Sequence, residues 1–126
     1  MAEGIETEAR RRLAGLADAP PADGAPAQVL QRDAALVGRL LATVAQRHDA
    51  GEADTTADDM AAALGLFGDM RMALDQMEAQ AVIEARRRGM EWREIAHHQG
   101  MKSSQAASQR YQRLVTRLEE IRQGIR

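Results

Sequence analysis

The stretch Gly89-Met-Glu-Trp-Arg-Glu-Ile-Ala-His-His-Gln-Gly-Met-Lys-Ser-Ser-Gln-Ala-Ala-Ser-Gln-Arg-Tyr-Gln-Arg-Leu-Val-Thr-Arg-Leu118 decides the fold. Trp92, Ile95 and Ala96 stand at i, i+3 and i+4, the spacing that puts side chains on one face of a helix. Gly100 follows, a residue that turns with positive φ without a steric penalty. Met101 is an apolar plug after the turn. Ser103 or Ser104 can cap the next helix, because a hydroxyl accepts from an orphan N–H of the first turn. Ala107, Tyr111, Leu114 and Leu118 then continue as a second apolar stripe. A short helix, a Gly-containing turn and a longer helix make a helix-turn-helix pattern.

At these residues the chain resembles a known family. Trp92, Ile95 and Ala96, then Gly100 and Met101, Ser103, Gln105 to Ala107, and Arg110 to Leu114 are similar to the helix-turn-helix of sigma-factor region 4. The closer resemblance is to small bacterial helix-turn-helix DNA-binding proteins of an actinobacterial type. It covers roughly residues 64–118. It implies an all-α fold and a role in binding double-stranded DNA.

Composition agrees with the helical reading. The chain has 126 residues with one Phe, one Tyr and one Trp, so its core must come from Leu, Ile, Val, Met and Ala. Few β-branched residues and abundant Ala, Arg, Glu and Gln favour helices. There is no Cys, which excludes disulfides, thiolate metal sites and a Cys nucleophile. No apolar run approaches the roughly 20 residues of a membrane span. The first residues are acidic and lack a signal-peptide apolar segment, so a cytoplasmic, nucleoid-associated location is expected.

The net charge of −2 hides an asymmetry. Residues 86–126 carry ten Lys or Arg against four acids, a net of +6. Residues 1–85 carry seven Arg against fifteen acids, a net of −8. The basic half coincides with the helix-turn-helix, as a nucleic-acid face requires.

Three segments follow. Residues 1–26 are an arm, a short helix over 3–17 with Ile5, Ala9, Leu13 and Leu16 on one stripe, then a linker. Pro20, Pro21, Gly24 and Pro26 cannot continue a helix. Residues 27–55 hold an amphipathic helix to about His48, with Leu30, Val37, Leu40, Leu41 and Val44 on its apolar face, and a polar loop. That face is the expected dimerisation element, and Gly38 suggests close packing against another helix. Residues 56–126 form the DNA-binding domain. Thr55 or Thr56 starts its first helix, Gly65 to Asp69 is expected to bend or break it, and a long helix resumes to Arg88. The expected whole is a helical bundle whose C-terminal helix-turn-helix packs on that long helix.

The second helix of the motif, about 103–118, is expected in the major groove, where its N-terminal part meets base edges. Lys102, Ser103, Ser104, Gln105, Ser108 and Gln109 lie there. Gln pairs with adenine and Ser reaches either base type. Arg110, Arg113 and Arg117, with Lys102 and Arg93, suit phosphates. Arg86, Arg87 and Arg88 would flank the same backbone. One such helix reads few base pairs, so a homodimer over two half-sites is expected. His97 and His98 are adjacent and point apart, so no metal site is expected. No Gly-rich phosphate loop or nucleophile elbow is present. The chain reads as a non-enzyme without cofactor: a transcriptional regulator or nucleoid-associated protein. The rival is a protein-interaction module, a sigma-like or anti-sigma factor whose acidic half meets RNA polymerase or another regulator.

Overall fold

The structure is a computed structural model and describes residues 2–16, 19–50 and 55–124. Among the described residues there are five helices and no strand. They are α1 (Ala2–Ala14), α2 (Pro26–Ala50), α3 (Ala57–Arg87), α4 (Trp92–His98) and α5 (Ser104–Arg122). The all-α expectation holds. Of the polar loop expected over 48–55, residues 48–50 instead continue α2, and 51–54 lie outside the described residues.

Each start and stop has a local cause. Pro26 opens α2, where a missing N–H costs nothing and φ is already helical. Thr56 caps α3: its hydroxyl accepts from Asp59 N–H (3.2 Å) while the Asp59 carboxylate accepts from Thr56 N–H (3.0 Å). This capping box satisfies two orphan donors at once. The other end of α3 is a Schellman turn, with Gly89 at φ +83°, Gly89 N–H donating to Arg86 O and Met90 N–H to Ala85 O. The end of α4 repeats it: Gly100 has φ +71°, Gly100 N–H donates to His97 O and Met101 N–H to Ala96 O. Both turns tuck a Met, Met90 or Met101, against the core.

α3 is the spine. α2 packs along α3, its start lining a depression with Met77 and Gln80, and α4 and α5 pack on the C-terminal half of α3. Val37 of α2 and Met70 and Ala73 of α3 are buried at the first seam. Val82, Ile95, Ala96 and Ala107 form the helix-turn-helix core, ringed by Ala85, Met90, Trp92, Met101 and Tyr111. Trp92 and Tyr111 meet at 5.8 Å between ring centroids, and the Arg86 guanidinium lies 5.2 Å from the Trp92 ring. Leu114 of α5 is buried as well.

Three expectations are corrected. α3 runs unbroken through Gly65 to Asp69. Gly is merely costly inside a helix, by about 1 kcal/mol, and the flanking apolar contacts outweigh that. Gly38 marks no close packing, since a Cβ there would touch nothing within 4 Å. Most of the apolar face of α2 is occupied within the chain by α3, with Val37 buried and Leu30, Leu40 and Val44 half-buried, while Leu41 of that face is exposed. Asp33, unforeseen, is buried in the same seam. Among the described residues α1 has close backbone contact with no other helix, and Leu13 and Leu16 are exposed.

Candidate nucleic-acid interface

The motif is built as its residues dictate. α4 and α5 pack together and rest on the last turns of α3. Ser103, extended at φ −151°, caps α5 by accepting from Ala106 N–H at 3.1 Å. Ser103 is therefore engaged in holding the helix start. Ala107 and Leu114 face inward, with Tyr111 half-buried beside them.

The opposite face of α5 is polar and open. Gln105, Gln109 and Arg113 are all exposed and recur every four residues, so they form one ridge. Lys102 and Ser104 are exposed at its N-terminal end, and Ser108 is half-buried at its edge. Arg93 of α4 is exposed as well. With Arg86, Glu91, Trp92 and Ser104 it lines a shallow depression of about 400 Å³ at the start of α5. Among the described residues, Lys102, Arg93 and Arg113 have no carboxylate partner.

The remaining arginines are engaged. Arg110 grips Glu78 of α3 with two donors, Nε to Oε2 at 2.6 Å and Nη2 to Oε1 at 2.8 Å. Gln99, in the turn, donates to the same carboxylate at 2.9 Å. Arg117 reaches Asp75 of α3 at 2.9 Å. The hydrogen bond from Arg110 holds the Glu78 carboxyl below its ordinary value, and Glu78 in turn raises Arg110. Arg87 and Arg88 both bind Glu84, at 2.8 and 2.6 Å, and Arg88 chiefly lowers that carboxyl. Those two pairs are exposed and contribute little to stability.

The ten expected contact residues thus divide. Lys102, Ser104, Gln105, Gln109, Arg113 and Arg93 are presented to solvent, Ser108 in part. Ser103, Arg110 and Arg117 are tied into the fold. Sequence reading missed Asp75 and Glu78 as their acceptors. The signal was present: Asp75 and Glu78 are i, i+3 on one helix, and Arg110 and Arg117 are i, i+7 on another. His97 and His98 are exposed at the end of α4 with ring centroids 5.3 Å apart. No helix among the described residues is long and apolar enough to cross a membrane. No protein-family model matches the chain, and comparisons with curated proteins and with solved structures found no match.

Proposed function

We propose that the chain binds double-stranded DNA through α5, as a transcriptional regulator or nucleoid-associated protein. The observation that carries this is the Gln105–Gln109–Arg113 ridge, flanked by Lys102 and Arg93, on the exposed face of the second helix of a helix-turn-helix. In this reading the N-terminal half of α5 enters the major groove. Gln105 and Gln109 face base edges, where an amide pairs with adenine through two bonds. Arg113, Lys102 and Arg93 meet phosphates, which fix register and supply affinity without reading sequence. Arg110 and Arg117 act one step back, holding α5 on α3 at the angle the groove requires.

The charge division supports the same orientation, since the −8 of residues 1–85 belongs on the side away from the duplex. An electrophoretic shift series at two salt concentrations tests the proposal. Binding that weakens steeply with salt is expected. The exchange Arg113→Ala should weaken binding to all sequences alike and lower the slope of log K against log salt by about one. Indifference to duplex DNA at low salt overturns the reading and leaves the protein-interaction alternative.

A further inference from the structure

The outer flank of α3 is not built for water. Met60, Leu64, Phe67, Arg71 and Leu74 recur every three or four residues and share one stripe. Leu64 is 70% exposed, Leu74 52% and Phe67 37%. A solvent-facing stripe of a surface helix is normally polar. The one charge on it, Arg71, stands over the Phe67 ring at 5.9 Å. From Asp75 and Glu78 onward the flank is covered by α5 through Arg117 and Arg110. The bare part is therefore bounded, about 15 Å long from Leu64 to Leu74. Leu41 of α2 is 56% exposed. Leu36, Leu40, Asp59, Ala62 and Leu66 line one side of the α2–α3 seam, and the helical period sets Leu41 and Phe67 toward the other.

We propose that this stripe is the contact between two copies of the chain, with the two α3 helices antiparallel about a two-fold axis level with Asp69. In that register the stripe is self-complementary. Leu64 lies opposite Leu74 of the second copy, and Phe67 opposite Arg71 of the second copy, so the leucines meet each other and each guanidinium meets a ring. Asp69 itself points away from the stripe, because it is two residues from both Phe67 and Arg71 on the helix. α2 takes part only at its margin, through Leu41, which places the interface on α3 rather than on the helix that composition favoured.

The arrangement deepens the DNA-binding reading and rests on it for its purpose. Val82, in the helix-turn-helix core, is about 20 Å along α3 from the axis. The two motifs then stand about 40 Å apart, near the 34–36 Å between successive major grooves on one side of a duplex.

Sedimentation equilibrium of the full chain without DNA tests the contact. A concentration-dependent mass rising from 13.8 kDa toward twice that is expected. The exchanges Leu64→Glu and Leu74→Glu should each hold the protein at the monomer mass, with circular dichroism and Trp92 fluorescence unchanged because both sites are exposed. The chain lacks Cys, so the double exchange Leu64→Cys/Leu74→Cys should cross-link two copies under mild oxidation. Neither single exchange should, since like positions lie about 15 Å apart across the axis, beyond the roughly 7 Å a disulfide tolerates. A monomer at every concentration, a dimer indifferent to both Glu exchanges, or cross-linking by a single Cys exchange overturns the proposal. A dimer that ignores DNA removes the DNA-binding reading and leaves this contact standing. A monomer that binds DNA does the reverse.

Discussion

Glu78 receives three donors from two different elements, Nε and Nη2 of Arg110 on α5 and Nε2 of Gln99 in the turn. Its side chain is 22% exposed and that of Arg110 40%, so the pair is partly shielded from water and from salt. Two parallel bonds to one carboxylate also fix the angle of α5, which a single flexible contact does not. Arg110→Ala is therefore expected to lower stability by about 1–2 kcal/mol, the worth of charged hydrogen bonds at a half-exposed site, read in a urea titration. If Arg110 were a free phosphate contact, stability would not move. The pH dependence follows from the same pair. The Glu78 carboxyl is held below its ordinary 4.5, first by the hydrogen bond from Arg110. A depressed folded value means stability that is present above the unfolded value and lost as pH falls through the folded one. Glu78→Gln should thus cost stability at neutral pH, and the gap to the native protein should narrow below about pH 4.5. A gap that stays constant into acid would show that the charge on Glu78 contributes nothing.

Among the elements, glycine gives the sharpest contrast, because the same residue does opposite things in α3 and after α4. Gly65 is helical and exposed, and a Cβ built there meets nothing within 4 Å. Gly100 has φ +71°, which an L side chain adopts only with strain. Gly65→Ala should raise the melting midpoint, by about 0.5–1 kcal/mol of stability. Gly100→Ala should lower it by a similar amount, because the Schellman turn that admits Met101 to the core needs the left-handed conformation. Two shifts of one sign would contradict this account. The same pair explains what was legible in the sequence. Gly100 stood at the end of a periodic stripe with a cap residue after it, so local rules sufficed. Gly65 and Gly68 look alike locally, yet Met60, Ala63, Leu66 and Met70 continue the helical period across them and contact with α2 carries the helix through. The roles of Arg110 and Arg117 were not legible for a related reason. A basic residue on a motif reads as a ligand for phosphate until the helix across from it is known to present Asp75 and Glu78. The outward set, Gln105, Gln109 and Arg113, was legible because it needs only the periodicity of α5.

At the scale of the whole molecule, α3 carries two groups of buried residues. Val37, Met70 and Ala73 are buried toward α2, and Val82, Ile95, Ala96 and Ala107 form the helix-turn-helix cluster, with Ala79 and Leu114 buried besides. Among the described residues α3 is the one helix in backbone contact both with α2 and with α5. Whether the protein unfolds as one unit then depends on the integrity of the middle of α3, where Asp75 and Glu78 also anchor α5. Trp92 is the single Trp and lies against the second core, so its fluorescence reports that half. Far-ultraviolet circular dichroism reports all helices. The two melts are expected to coincide in the native chain, as a two-state unit requires. Gln76 is exposed between the two cores. Gln76→Pro removes a hydrogen bond and crowds the carbonyl four residues back, a cost of about 3 kcal/mol confined to the spine. It should separate the melts, with the Trp92 transition no longer following the helix signal, because each core then stands on its own segment of α3. Coincident melts in the Pro variant would mean that the α5 contacts through Arg110 and Arg117 couple the halves without an intact spine.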